Sequence, residues 1–162
     1  MPGLEIVALD RDHEPHVLAL SLRAWRPVFE KLEPAVPPYV YKAFYPEGWD
    51  VRQASDIQAF LRSEGRLAWG AVEAGAVLGW VGIHLHPEDR MGELYILAVD
   101  PDRQREGVAT ALMEHAMAVM READMEIVMV ETGDDPGHAP SRATYERAGF
   151  ERWPVARYFR KL

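Results

Sequence analysis

The stretch from Leu94 to Leu112 constrains the fold more than any other part of the sequence. An apolar run, Leu94 to Val99, leads into a short polar loop, and a helical pattern begins after Gly107. Backbone N–H groups at the start of a helix, with the helix dipole behind them, bind phosphate. Gly107 and the small Ala109 let a ligand approach the backbone closely. The sequence therefore predicts a strand, a loop and a helix that together hold a phosphate group.

Two familiar phosphate-binding motifs do not fit this loop. A P-loop needs a lysine directly after its last glycine, and none follows Gly107; a GxGxxG fingerprint needs more than the one glycine present. The remaining pattern, Gln104-Arg105-x-Gly107-x-Ala109, resembles the acetyl-CoA signature Q/R-x-x-G-x-G/A of the GNAT superfamily of N-acetyltransferases. A second stretch, Tyr145-Glu-Arg-Ala-Gly-Phe150, is similar to the superfamily's later Y-E-x-x-G-F. The two motifs occur in the order that the superfamily requires.

Periodicity predicts a strand, a group of helices, three strands, and then a helix, a strand, a helix and a strand. The predicted strands are residues 4–9, 66–72, 76–86, 92–99, 125–132 and 150–162. The predicted helices are one from residue 14 with a kink or break at Pro27, and residues 51–63, 107–122 and 140–148. The apolar run Ile127 to Val130 predicts a strand buried on both faces. We expect one α+β domain over residues 1–162, with a mixed, mostly antiparallel sheet and helices on both faces, as the resemblance also implies.

Composition excludes several classes of function. The chain has no cysteine, which excludes disulfides, thiolate metal sites and a cysteine nucleophile. A formal net charge of −8 argues against nucleic acid as the main partner. No stretch approaches the roughly 18 apolar residues of a membrane helix, and His84, His86 and Glu88 are too few for a convergent metal site. We expect a cytoplasmic protein that binds no metal, nucleic acid or membrane, and the sequence leaves open whether it forms a homodimer.

The resemblance implies how acetyl-CoA is held. The backbone amides of the loop and first helical turn bind the pyrophosphate, and these residues are Arg105, Glu106, Gly107, Val108, Ala109 and Thr110. Arg103 and Arg105 supply positive charge, and the Glu106 side chain has to point away. The main chain of Leu97, Ala98 and Val99 pairs with the pantetheine amides. His138 stands where the superfamily often has an asparagine; a cofactor contact ranks first for it, ahead of a base or a simple loop residue.

Acetyl transfer from a thioester to an amine needs a base for the amine and an acid for the leaving thiolate. By resemblance, Glu93, six residues before Val99, matches the general base of histone-type members, and Tyr145 occupies the position that protonates the coenzyme A thiolate. Period 2 predicts that Glu93, Tyr95, Leu97 and Val99 share one face of the strand. Glu131 is the rival base, and an ordered water is a third way to remove the proton. Both Glu93 and Tyr145 also have a purely structural interpretation, as an exposed strand-end carboxylate and a packed ring.

We therefore expect an acetyl-CoA-dependent N-acetyltransferase that transfers the acetyl group directly to a primary amine of a small molecule, peptide or protein. Two alternatives remain: a longer acyl-CoA donor, or a CoA-binding sensor or structural domain without catalysis. The acidic residues Glu131, Asp134 and Asp135 and the negative net charge favour a cationic acceptor. Aromatic residues of the first third of the chain are expected to line the acceptor pocket, namely Trp25, Phe29, Tyr39, Tyr41, Tyr45 and Trp49.

Overall fold

The computed structural model describes residues 3–162. One five-stranded sheet has its strands in chain order, β1 to β5. The strands are β1 (Leu4–Ala8), β2 (Leu67–Glu73), β3 (Ala76–His86), β4 (Met91–Val99) and β5 (Ile127–Met129). The first three pairings are antiparallel, and β4 with β5 is parallel. The predicted mixed, mostly antiparallel sheet is therefore confirmed.

Helices cover both faces of this sheet, as predicted. They are α1 (Glu14–Leu32), α2 (Pro38–Phe44), α3 (Trp49–Leu61), α4 (Val108–Glu122) and α5 (Ala139–Arg147). One core lies between the sheet and α4, where Leu112 is fully buried, and residues of α5 pack on it. The other core lies between the sheet and helices α1 and α3, where Trp80 donates a 2.8 Å hydrogen bond from Nε1 to the buried Ser21 hydroxyl. That bond satisfies both polar groups away from water.

Helix α1 does not break at Pro27. Residues 14–32 are helical throughout, so the predicted break does not occur, and the alternative, a kink at Pro27, stays a prediction. A proline inside a helix removes one backbone hydrogen bond and crowds the preceding turn. Packing on both sides of Pro27 offsets this cost: Val17 and Leu20 are buried before it, and Phe29 is buried after it. Tertiary contacts therefore override the local preference.

Strand β4 carries a β-bulge that the sequence pattern did not predict. Ile83 pairs with Leu94 and Gly82 pairs with Ile96, which leaves Tyr95 as an extra residue. A bulge shifts the alternation of side chains by one residue. Glu93, Tyr95, Ile96 and Ala98 consequently lie on the α1–α3 side of the sheet, while Leu97 and Val99 pack in the α4 core. The prediction that Glu93 shares a face with Leu97 and Val99 is therefore wrong.

The last two predicted strands are also wrong in extent. Strand β5 has three residues where eight were predicted, and Ile127 is 58% exposed instead of buried on both faces. Residues 151–162 have no regular secondary structure, although residues 150–162 were predicted as a strand. A strand forms only where its backbone finds a partner, and among the described residues β5 pairs only with β4. A single domain over residues 1–162 stays a prediction.

Candidate active site

Strands β4 and β5 separate where the predicted cofactor site begins. The last pair between them is Glu93 with Met129. Beyond it, Leu97, Ala98 and Val99 pair with β3 on one edge. On the other edge, none of the described strands reaches them. Their backbone groups on that edge are available to an extended ligand lying between the two strands.

The loop after β4 leads into helix α4 through two left-handed residues, Arg105 (φ 64°) and Gly107 (φ 85°). Left-handed residues in a turn direct successive N–H groups toward one side and form an anion-binding concavity. Within residues 3–162, no side chain caps the N-terminus of α4, so its first N–H groups keep their hydrogen-bonding capacity. The Val108 side chain is buried, which leaves only its main chain for a ligand, whereas Thr110 is exposed. The residues predicted to bind phosphate therefore form the end of the loop and the first turn of α4, with Val108 buried and the others at least partly exposed.

Side chains around the loop hold its shape. Arg103 contacts Glu106 (2.6 Å) and Glu73 (2.9 Å), and these two carboxylates raise the pKa of its guanidinium. Arg23 of α1 contacts Asp100 (3.1 Å) and Asp102 (2.8 Å), which ties the loop to the opposite side of the sheet. The Arg103 charge is thus occupied by two carboxylates, contrary to the prediction that it serves the phosphate. The same contact holds the Glu106 carboxylate on Arg103, and Arg105 remains exposed.

Glu93 lies on the α1–α3 side, with its side chain 20% exposed. Its Oε2 is 3.8 Å from Nε2 of His86, a buried nitrogen that has no hydrogen-bond partner among the described residues. Nδ1 of His86 is 3.7 Å from the exposed Glu88. The sequence interpretation considered His86 only as a metal ligand and missed this pairing. Its signal is the alternation of β3, because His84 is opposite Glu93 and His86 follows on the same face.

An aromatic group packs beside Glu93. Tyr95 stacks on Phe60 at 5.2 Å between ring centroids and lies 4.5 Å from the His84 ring. Burial, followed by the charges of Asp56 and Glu93, raises the pKa of the Tyr95 phenol. The Glu93 carboxylate therefore has aromatic neighbours on one side and His86 on the other.

Tyr145 is on α5, packed against the α4 core. Its ring meets Phe150 edge to face at 5.8 Å, and Gly149 ends the helix between them with φ 91°. Burial raises the pKa of the Tyr145 phenol to about 12. A free thiol has a pKa of about 8.5, so complete proton transfer from this phenol to a thiolate is uphill. The Tyr145 phenol therefore stays protonated around neutral pH, and its hydroxyl is suited to donate a hydrogen bond.

His138 is held rigidly at the start of α5. Its Nδ1 is 2.6 Å from Asp135 Oδ1, and its backbone N–H donates to Oδ2 at 3.3 Å. Arg142 closes the loop by donating to the carbonyl oxygens of Gly133 (2.6 Å) and Asp135 (2.8 Å). A proton on Nδ1 directed at Asp135 leaves Nε2 as an acceptor, a tautomer that we assign from this contact. Sequence reasoning missed Asp135 and Arg142 as the residues that fix His138.

The remaining acidic residues are less suited to catalysis. Glu131 lies two residues beyond β5, its side chain 75% exposed, with Arg157 at 3.9 Å. Asp134 contacts Arg152 at 2.6 Å, which lowers the pKa of its carboxyl. Glu131 and Asp134 therefore each meet an arginine of this chain, and Asp135 accepts hydrogen bonds from His138.

Aromatic residues of α1 to α3 form a continuous group near the His138 loop. Phe29 stacks on Trp49 at 4.7 Å and meets Tyr45 edge to face at 5.3 Å, and Tyr41 lies 4.9 Å from Tyr45. Burial is the main cause of the raised pKa of Tyr45, and the Asp135 charge also contributes. Four of the six predicted pocket residues thus come together, whereas Trp25 packs in the α1–α3 core and Tyr39 is 37% exposed.

Two other features are absent from the described part of the chain. No helix among residues 3–162 combines the length and apolar character needed to cross a bilayer. In the same range, no three histidine, cysteine, aspartate or glutamate side chains converge as metal ligands.

Comparison with known proteins gives a consistent result. Residues 36–150 match the family described as acetyltransferase (GNAT) family. A mycothiol acetyltransferase of Geodermatophilus obscurus is 30% identical over 146 residues, covering 68% of this chain and 47% of the relative. A mycothiol acetyltransferase of Salinispora tropica is 38% identical over 84 residues, covering 49% of this chain and 27% of the relative. The chain thus spans less than half the length of these two curated relatives.

A solved structure shares the fold. The PaiA N-acetyltransferase of Thermoplasma acidophilum, in complex with coenzyme A, superposes with a TM-score of 0.70 at 13% sequence identity. The superposition covers 94% of this chain and 92% of the other. At that identity the likeness establishes the α+β fold and carries no assignment of substrate.

Proposed function

Because the chain belongs to the acetyltransferase (GNAT) family, we propose that it transfers an acetyl group from acetyl-CoA to a primary amine. One observation carries the proposal. The unpaired edge of β4 runs directly into the left-handed turn and the uncapped N-terminus of α4. The result is one continuous groove. Backbone N–H and C=O groups of β4 can pair with the pantetheine amides at one end, and the N-terminus of α4 can bind the pyrophosphate at the other.

The cofactor is held mostly by main-chain groups in this proposal. Leu97, Ala98 and Val99 pair with the pantetheine amides, and the amides of residues 105–110 bind the pyrophosphate. His138 contacts the cofactor through Nε2, which its Asp135 contact leaves as an acceptor. Main-chain recognition explains why the side chains of Val99 and Val108 can be core residues as well.

Glu93 removes the proton from the acceptor. The amine nitrogen then bonds to the thioester carbonyl carbon, the carbon–sulfur bond breaks, and coenzyme A leaves as a thiolate. Tyr145 donates a hydrogen bond to this sulfur, and its pKa of about 12 keeps the donor proton in place. Glu93 is favoured over Glu131 because its side chain is only 20% exposed, whereas the Glu131 side chain is 75% exposed. General base catalysis typically contributes about 10²–10⁴-fold.

A thiol-release assay tests the activity. The chain contains no cysteine, so a thiol reagent reports only the coenzyme A that the reaction liberates. We expect release with acetyl-CoA and at least one member of a panel that includes an amino sugar, a peptide N-terminus and lysine. Binding of acetyl-CoA in calorimetry without release for any amine would favour the non-catalytic sensor. Faster release with a longer acyl-CoA would favour that donor.

We propose a primary amine as the acceptor, and the net charge of −8 is the remaining argument for a cationic one. The carboxylates that suggested a cationic acceptor are engaged by Arg152, Arg157 and His138. The aromatic group around Phe29 and Tyr45 supports a pocket with apolar walls. A cytoplasmic location and a homodimer complete the proposal.

A further inference from the structure

His86 of β3 has a buried ring nitrogen without a hydrogen-bond partner. Its Nε2 is shielded from solvent and makes no hydrogen bond within residues 3–162, although the side chain as a whole is 33% exposed. Leaving a polar atom buried and unpaired is unfavourable, and the large majority of buried polar atoms in folded proteins are paired. The placement of this nitrogen therefore needs an explanation other than packing.

The position of Glu93 supplies an explanation. Strand pairing puts Glu93 opposite His84, so His86 is its diagonal neighbour on the same face of the sheet. Long side chains at diagonal positions of two paired strands reach each other. Oε2 of Glu93 lies 3.8 Å from Nε2 of His86, and among the described residues the Glu93 carboxylate forms no other ion pair. The unpaired nitrogen of His86 therefore faces the carboxylate that is proposed as the base.

The distance between the two atoms is close to that of a hydrogen bond. The 3.8 Å from Nε2 to Oε2 is about 0.8 Å longer than an ordinary N–H···O hydrogen bond of about 3.0 Å. A small rotation of either side chain closes this difference. Catalytic hydrogen bonds are often long in a free enzyme and shorten when the substrate binds.

We propose that His86 is a positioning residue, whose Nε2–H donates a hydrogen bond to Oε2 of Glu93 and fixes the carboxylate with Oε1 facing the acceptor amine. This inference rests on the proposed function, in which Glu93 is the base. In the reaction, Oε1 takes a proton from the amine, the nitrogen lone pair bonds to the thioester carbon, and the Nε2 proton of His86 stays in place. His86 thus acts through Glu93 and touches neither substrate nor cofactor.

The other groups around His86 support a proton on Nε2. Nδ1 faces Glu88 at 3.7 Å, and the Glu88 side chain is 69% exposed, so water can solvate its carboxylate. The Glu93 side chain is only 20% exposed and has fewer alternatives for a donor. His84, the other titratable ring on this face of β3, lies 6.5 Å from the His86 ring and packs on Tyr95 at 4.5 Å. We assign the Nε2–H tautomer of His86 from these contacts.

A fixed carboxylate is a better base for two reasons. A hydrogen bond to the charged form of a carboxylate favours that form, which is the form that removes a proton. The donor also selects one orientation of a flexible side chain, and a misplacement of about 1 Å at a reacting group can cost on the order of 10²-fold in rate. Because the stacked rings of Tyr95 and Phe60 lie beside Glu93, His86 and the rings together leave the carboxylate few orientations.

Substitutions of His86 provide the first test. His86→Leu removes the donor at similar size and should lower kcat by about tenfold, with KM for acetyl-CoA unchanged. His86→Gln keeps an N–H donor on its side chain and is expected to recover most of this loss. His115→Leu is the matched control, because His115 on α4 also has a buried and unpartnered Nε2 but packs on Trp69. Full kcat in folded His86→Leu protein, or equal losses at His86 and His115, overturns the proposal.

A double-mutant cycle shows whether His86 acts through Glu93. In Glu93→Gln protein the base is absent, so adding His86→Leu should cost less than about twofold in kcat. A merely structural role of His86 would give the same loss of about tenfold in both backgrounds, and that result overturns the proposal. Circular dichroism checks that all four proteins of the cycle are folded.

Nitrogen-15 NMR of the histidine rings tests the contact without any turnover. The ring shifts report which nitrogen carries the proton in the neutral form. We expect the His86 proton on Nε2 in the unmodified protein, and a shift toward Nδ1 in Glu93→Leu, where Glu88 is the remaining acceptor. The same tautomer in both proteins overturns the proposal. A chain that acetylates no amine contradicts the proposed function, whereas the NMR experiment still decides whether His86 holds Glu93.

Discussion

The two walls of the cleft between β4 and β5 are built differently. On the β4 side, the strand is paired with β3 along its length and continues into a helix whose Val108, Leu112 and Ala116 are almost completely buried. On the β5 side, three paired residues lead into a loop tied by polar contacts, then into the short helix α5 and finally into an exposed segment. In the proposed site, the cofactor lies against the packed β4 side. The β5 side of the cleft depends on a few specific polar contacts for its shape.

This difference predicts where a substitution affects stability. Leu112→Ala removes a fully buried side chain of α4 and should lower the free energy of unfolding by about 2–5 kcal/mol. Trp153→Ala should change it by less than about 0.5 kcal/mol at concentrations where the protein is monomeric, because this ring is 83% exposed. Denaturant titration of both variants measures the contrast. Similar losses would mean that the C-terminal segment contributes to the core of a single copy.

The packed wall should also dominate cofactor binding. Gly107→Glu adds a side chain at a left-handed residue and a negative charge beside the pyrophosphate, and should weaken acetyl-CoA binding more than about a hundredfold, or about 2.7 kcal/mol. Gly65→Glu is the matched control, because Gly65 is also left-handed (φ 69°) and has open space around it. Calorimetry on both variants decides the point. Unchanged affinity in a folded Gly107→Glu protein would move the site elsewhere.

The proposed base, Glu93, lies on β4, so replacing it should slow the chemical step and leave cofactor affinity unchanged. Glu93→Gln should lower kcat/KM by about 10²-fold around and below neutral pH, and less at high pH, where the amine is already deprotonated. Glu88→Gln controls for charge near His86, because Glu88 is 69% exposed and 3.7 Å from the same ring. A loss below threefold at every pH would assign the proton to Glu131, His138 or water.

The smallest effect should come from the β5 side. Tyr145→Phe keeps the packed ring and removes the hydrogen bond to the thiolate, so kcat should fall by about tenfold with acetyl-CoA affinity unchanged. Because the pKa of Tyr145 is about 12, the hydroxyl stays protonated and the ratio of the two rates should not vary with pH over the neutral and mildly alkaline range. Tyr158→Phe is the control at an exposed tyrosine. Full activity of Tyr145→Phe, with chemistry rate-limiting, would leave the residue a packing role only.

Sequence patterns predicted the elements that have a strong periodicity of their own or that pair with a neighbour in the sequence. The structure agrees with the predictions for strands β1 to β4, helix α4 and the turn at Gly107. Alternating apolar residues, helical spacing and a glycine between strand and helix are each compatible with few backbone conformations. The bulge at Tyr95 escaped prediction because an aromatic residue fits the ordinary alternation of a strand equally well. The C-terminal segment has alternating apolar residues typical of a strand, but pairing depends on a partner that its own pattern does not specify.

In the candidate site, too, some features could be predicted from the sequence and others could not. The order of strand, loop and helix around Gly107 could be predicted from the sequence. The main-chain cofactor contacts of Leu97 to Val99 and of residues 105–110 came from the family resemblance and stay predictions. The contacts of His86 with Glu93 and of Asp135 with His138 depend on side-chain placement that spacing alone does not give. Arg103 was predicted to serve the phosphate because the sequence does not reveal that Glu73, thirty positions away, reaches it.

The extra residue at Tyr95 divides β4 into two halves of opposite parity. Deleting Tyr95 would join Leu94 directly to Ile96 in regular alternation and would leave Glu93 opposite His84 on the α1–α3 side. The insertion therefore adds the Tyr95 ring beside Phe60 without moving Glu93 to the other face of the sheet.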